Sequence, residues 1–135
     1  MAAWQASFAI IPSRTYPADY QRRLDAVAPR APSWSNEIQI WGMEDGNRID
    51  LYLENGAPHD GLIRIDLRDP DPAFIRGTLA FLAASGCGLE SEDGHWVEPN
   101  EGEFLVALRG SRAFRFVEDP ARYLSRLRAG GLEDA

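Results

Sequence analysis

Residues Asn36-Glu-Ile-Gln-Ile-Trp-Gly-Met-Glu-Asp-Gly-Asn-Arg-Ile-Asp-Leu-Tyr-Leu-Glu54, followed by Gly61-Leu-Ile-Arg-Ile-Asp-Leu-Arg68, decide the fold. Three runs within them alternate apolar and polar side chains with a period of two. That is the pattern of strands that bury one face and wet the other. Asp45-Gly46 is a two-residue hairpin signal, because both residues tolerate positive φ. A turn centred there sets Met43 opposite Arg48, Trp41 opposite Asp50, Ile40 opposite Leu51, Gln39 opposite Tyr52 and Ile38 opposite Leu53. The inward set is then Ile38, Ile40, Ile49, Leu51 and Leu53. The third run turns Ile63, Ile65 and Leu67 inward and Arg64, Asp66 and Arg68 outward. Like charges facing each other across strands are unfavourable. Two shifted registers avoid them: Asp50 with Arg68 and Glu54 with Arg64, or Asp50 with Arg64 and Arg48 with Asp66.

The flanking sequence supplies the remaining elements. Residues 4–11 read as a first strand, closed by Pro12-Ser13. Pro17 suits a helix N-terminus, and Tyr20, Leu24 and Val27 recur at helical spacing, so a first helix is expected over about 17–28. Asp71-Pro72 is an N-cap followed by a favoured first helical residue. With the apolar stripe of Phe74, Ile75, Thr78, Leu79 and Leu82, and the stop at Ser85-Gly86, it predicts a helix over about 72–85. A short hairpin is expected around Asp93-Gly94. Asn100 and Glu103 are spaced as a capping-box variant ahead of an amphipathic helix with Phe104, Leu105 and Leu108. Residues 111–117 fit either a strand or an extension of that helix. Asp119-Pro120 opens a last helix with Tyr123, Leu124 and Leu127, ended by Gly130-Gly131, with 131–135 as a frayed tail. The expected architecture is one α+β domain over residues 1–135. It is a mainly antiparallel sheet of about 4–6 strands in the order β-α-β-β-β-α-(β-β)-α-α, with helices on one face.

Composition narrows the function classes. The formal charge is −7, and all 14 basic residues are Arg. An acidic chain argues against general nucleic-acid binding, which rests on neutralising phosphates. The absence of Lys fits genomic base composition. No apolar run approaches the ~20 residues of a membrane span, and the N-terminus lacks the pattern of a secretory signal. The single Cys87 cannot pair internally and fits a reducing compartment, so a cytoplasmic protein is expected, of bacterial origin by size and composition.

Two candidate sites emerge. The first is the outward face of the strands, where Trp41, Asp50, Tyr52, Arg64, Asp66 and Arg68 form a partner-binding patch. Trp, Tyr and Arg are enriched at protein interfaces. The plain alternative is a solvated face stitched by cross-strand ion pairs. The second is an acidic lobe of Glu90, Glu92, Asp93, Glu98, Glu101 and Glu103, in an interval between Arg76 and Arg109 without any basic residue. It could steer and dock a basic partner, or simply be a solvated loop whose acids suit a helix dipole.

Catalytic and cofactor signatures are missing from the pattern. Cys87, His59 and His95 carry no local signature of a nucleophile pair. Neither His59-Asp60 nor His95 with Glu90, Glu92 and Asp93 has metal-ligand spacing. Ser85-Gly86-Cys87-Gly88 follows a helix instead of opening one, and no Lys is present, so the phosphate-loop mechanism does not apply. No cofactor or metal is expected. The reading is a small accessory protein, immunity-like, that binds a basic protein partner without catalysis. One alternative is a small enzyme or ligand-binding domain with a pocket between sheet and helices using Asp50, Asp66 and Arg64. Another is a homodimer joined through the sheet face or edge.

Overall fold

The computed structural model describes residues 2–69 and 71–117. The elements in chain order are β1 (Gln5–Pro12), α1 (Tyr20–Asp25), β2 (Arg30–Ala31), β3 (Ile38–Gly42), β4 (Arg48–Glu54), β5 (Ala57–Asp66), α2 (Pro72–Ala84), β6 (Cys87–Ser91), β7 (Trp96–Val97), α3 (Glu101–Arg109) and α4 (Arg112–Phe116). The expected last helix and the 131–135 tail lie outside the described residues. The chain is α+β, as its alternation implies, but the antiparallel sheet has seven strands in the order β2-β3-β4-β5-β1-β6-β7. The additional strand, β2, is a two-residue edge too short to leave a periodic signal. The first strand in sequence lies inside the sheet, between β5 and β6.

Local chemistry accounts for the helices. Asp71 caps α2 by accepting a hydrogen bond from Phe74 N at 3.1 Å, and Arg14 Nη2 donates to Ala84 O at its far end. Both satisfy groups that a helix terminus leaves unpaired. Asn100 Oδ1 accepts from Glu103 N at 2.9 Å to start α3, whereas the Glu103 carboxylate accepts from Glu98 N. Residues 111–117 resolve as a separate short helix, because Ser111 accepts from Phe114 N and starts a new turn. The first helix is shorter than its apolar spacing implies: Tyr20–Asp25 is helical, and Ala26 to Ala28 close it as a turn.

Two expected registers are corrected. Trp41 pairs with Ile49, Ile40 with Asp50, Gln39 with Leu51 and Ile38 with Tyr52, one residue away from the pairing centred on Asp45-Gly46. The connection is a three-residue loop, Glu44-Asp45-Gly46, closed by Met43 N donating to Asn47 O at 3.1 Å, with Gly42 at φ +102°. Side chains from far away in sequence hold this loop. Gln5 Nε2 donates to Glu44 O and Gly46 O, while Trp4 Nε1 and Arg68 Nη2 donate to Asp45 O. Since strand side chains alternate, the slip exchanges faces. Trp41 turns inward beside Ile49 and Leu51, and Ile38 and Ile40 turn outward. Leu53, assigned to the core by the sequence, is only partly buried beyond a register shift in β4–β5. The pairing of β4 with β5 matches neither expected alternative: Arg48 lies opposite Arg64 and Asp50 opposite Leu62.

The core fills the inner face. Phe8, Ile49, Leu51, Ile63 and Ile65 from the sheet meet Leu24, Phe74, Ile75, Leu79, Leu82, Phe104 and Leu108 from the helices in one buried cluster. Phe8 and Phe104 pack with ring centroids 4.8 Å apart, and Trp41 Nε1 donates to Asp25 Oδ1 at 2.8 Å. Ile40, although buried, stands outside that cluster, on the opposite face.

Candidate functional site

The outer sheet face carries an ion cluster. Arg48 and Arg64 are cross-strand partners, an arrangement that like charges disfavour. Asp50 resolves it. Its carboxylate accepts from Arg48 Nε at 2.7 Å and Nη2 at 3.2 Å, and Arg64 Nη2 stands 4.0 Å from Oδ2, the oxygen that Arg48 Nη2 also contacts. The Arg48 and Asp50 side chains are 7% and 3% exposed, so the pair is desolvated and its bidentate geometry offsets that cost. Arg64 Nε is buried without an acceptor. Tyr52 sits beside this cluster. Burial and the Asp50 charge raise its phenol above the usual range, against a lowering pull from Arg64. Asp66 forms a second pair at the strand end: its carboxylate accepts from Arg68 N, Nε and Nη2, and Arg68 lies 3.7 Å above the Trp4 ring.

The sequence-derived patch is thus divided. Asp50, Tyr52 and Arg64 share the outer face, and Asp66 with Arg68 lies at one end of it. Trp41 is fully buried on the inner face, where its ring also lies 4.6 Å from the Arg30 guanidinium. Trp41 cannot anchor a partner from there. The expected pocket between sheet and helices using Asp50, Asp66 and Arg64 is also corrected. The three lie on the face opposite the core, and both carboxylates are engaged by guanidinium groups.

Three acids of the expected lobe, Glu90, Glu98 and Glu103, lie around the Trp96 ring. Trp96 pairs across strands with Glu90, and its ring lies against the backbone of Gly88, in space that a β-carbon there would occupy. Trp96 Nε1 donates to Glu98 Oε1 at 2.9 Å, and Glu98 N donates to Glu103 Oε2 at 3.0 Å. The ring is held from two sides yet remains 55% exposed, next to Val106 at 64%. Trp96, Val97, Gly102, Glu103 and Val106 line a groove of about 330 Å³ at the sheet edge. Glu92 and Asp93 occupy the β6–β7 turn, near His95 and Arg112. Glu101 turns away to Arg76, 3.4 Å distant. In the sequence reading Trp96 falls in the short hairpin and Val106 in the helix after Asn100, and neither is a candidate site residue. The missed signal was an aromatic between two acids, Glu90 opposite and Glu98 two residues on, in a strand too short to bury it.

Other reactive groups are dispersed. Cys87 is buried, and burial raises its thiol above the ordinary range, which keeps it protonated and a poor nucleophile. Its Sγ lies 3.9 Å from Ser85 O. His59 is exposed on the β4–β5 hairpin near Glu54 and Asp60, and His95 is exposed on the β6–β7 hairpin. Among the described residues no three His, Cys, Asp or Glu side chains converge as metal ligands, and no helix is long and apolar enough to cross a membrane.

No family model, curated protein or solved structure matches the chain.

Proposed function

We propose that this protein acts by binding, as an accessory protein of the immunity-like kind that docks a basic protein partner without catalysis. The observation that carries the reading is Trp96, an exposed indole fixed by Gly88 and Glu98 with Glu90 and Glu103 around it. An aromatic centre with a charged rim has the anatomy of a protein interface, and Trp is the residue type most often found to dominate one. Fixing the ring beforehand removes ordering entropy that association would otherwise cost. Its carboxylate neighbours select guanidinium and ammonium groups, which also favour the indole face. The net charge of −7 steers a basic partner toward the surface over a range set by ionic strength.

The test is affinity capture with the full chain, followed by calorimetry on the captured protein. Trp96→Ala should weaken binding by about 30-fold or more, the ~2 kcal/mol of an interface hot spot. The double substitution Glu90→Gln and Glu103→Gln should weaken it less and flatten its salt dependence. Trp34→Ala, at another exposed indole, should leave it unchanged. A partner whose affinity ignores Trp96 and salt alike would exclude this surface.

A further inference from the structure

A recess on the outer face, separate from the Trp96 groove, has the makings of a small-molecule site. Ala31, Ile40 and Arg48 are on the outer face of β2, β3 and β4, and with Pro32, Ser33, Trp34 and Glu44 they line a space of about 510 Å³. The loop that carries Trp34 is braced internally. Ser33 Oγ donates to Ser35 O and accepts from Ser35 N, and Ser35 Oγ accepts from Glu37 N. Trp34 stands at the recess, 73% exposed, with its ring centroid 5.9 Å from the Arg48 guanidinium carbon.

Arg48 gives the recess its chemistry. A guanidinium has five N–H donors, and Asp50 engages two of those on Arg48. The buried side-chain polar atoms without a partner, among the described residues, are Arg64 Nε, Thr78 Oγ1 and Ser85 Oγ. The other Arg48 donors are absent from that set, so they keep some access to solvent, and Arg48 is among the residues that line the recess. The Asp50 brace fixes the fork in place, and a second cation, Arg64, stands directly across the strand pair. Glu44 also lines the recess, but it is exposed and solvent screens its charge. A recess walled by Trp34, Pro32 and Ile40, with one guanidinium braced by Asp50, has the composition of a small-ligand pocket.

We propose that this recess binds a small apolar carboxylate, its hydrocarbon body against Trp34 and Ile40 and its carboxylate on the Arg48 N–H donors that Asp50 does not engage. The test titrates 3-phenylpropanoate into the full chain, at constant ionic strength set with NaCl. Trp fluorescence and the Arg48 Nε–H resonance, identified by its loss in Arg48→Lys, report binding. The uncharged 3-phenylpropanamide serves as the control of equal shape. The expected result is a saturable response to the carboxylate at least about tenfold tighter than to the amide, because only the former makes charge-assisted hydrogen bonds. Trp34→Ala, at an exposed position that leaves folding intact, should weaken the carboxylate by about fivefold or more. Equal affinity for amide and carboxylate, no saturation by about 20 mM, or indifference to Trp34→Ala would each overturn the proposal. Because Trp96 is untouched, these outcomes are independent of the protein-binding test.

Discussion

Asp50 holds two guanidinium groups in place on a sheet face that carries no share of the main core. The isoleucines and leucines around it alternate clearly enough to be assigned to strands from the sequence. The charges between them were legible as residue types but not as partners, because partnership depends on a register that shifts by whole residues. A buried ion pair stabilises little over an apolar pair of similar volume, yet losing one partner leaves an uncompensated charge. Asp50→Leu alone should therefore cost about 3–5 kcal/mol in urea unfolding at unchanged m. Adding Arg48→Met to it should recover most of that loss. A double variant no more stable than the single one would show that the cluster is held by something other than the Arg48–Asp50 pair.

At the scale of elements, Tyr16 links three parts of the chain. From the connection between β1 and α1 its ring stacks on Phe81 of α2 with centroids 6.1 Å apart, and its hydroxyl donates to His59 O in β5 at 2.7 Å. Burial, and then the neighbouring Cys87, push its phenol well above the ordinary value of about 10. A group whose folded pKa is raised contributes stability that is fully present below its unfolded pKa and is lost as pH rises above it. Stability should thus fall as pH climbs past about 10, after an earlier loss beginning near the ordinary thiol range as Cys87 titrates in the unfolded chain. Tyr16→Phe should cost about 0.5–1.5 kcal/mol at pH 8 for the lost hydrogen bond. Between pH 8 and pH 10.5 its urea midpoint should decline less than that of the natural chain; an equally steep decline would remove Tyr16 as the cause. The helices themselves were readable because their signals are local: Asp71-Pro72 and Asn100 act within one turn. The α1 boundary was not, since three apolar residues at helical spacing do not say where the chain must turn toward β2.

For the whole molecule, the position of β1 governs assembly. It is the first strand made and it pairs with β5 and β6, which lie about 50 to 80 residues later. Such non-local pairing must close long loops before it is rewarded. Gln5 at its start and Trp4 just before it also fix the β3–β4 loop. Deleting residues 1–12 should abolish cooperative thermal unfolding and near-ultraviolet circular dichroism, because it exposes the edges of β5 and β6 together and releases the loop. A truncated chain that still melts cooperatively would show that the two flanking parts fold without their shared strand.

The sequence by itself determined the α+β class, the antiparallel sheet, the cores of α2 and α3, their caps and the inward Ile49, Leu51, Ile63 and Ile65. Each follows from periodicity or from chemistry within a few residues. Tertiary structure alone decided which way β3 faces. Ile40 and Trp41 are adjacent and both apolar, so alternation permits either to point inward. Asp45-Gly46 favours a two-residue turn, but Trp4, Gln5 and Arg68 capture the carbonyls of a three-residue loop, and Asp25 receives the Trp41 indole N–H. Those partners lie 16 to 41 residues away in sequence. Their contacts outweigh a local turn preference and move Trp41 into the core, while Trp34 and Trp96, which no alternating pattern singles out, stay exposed.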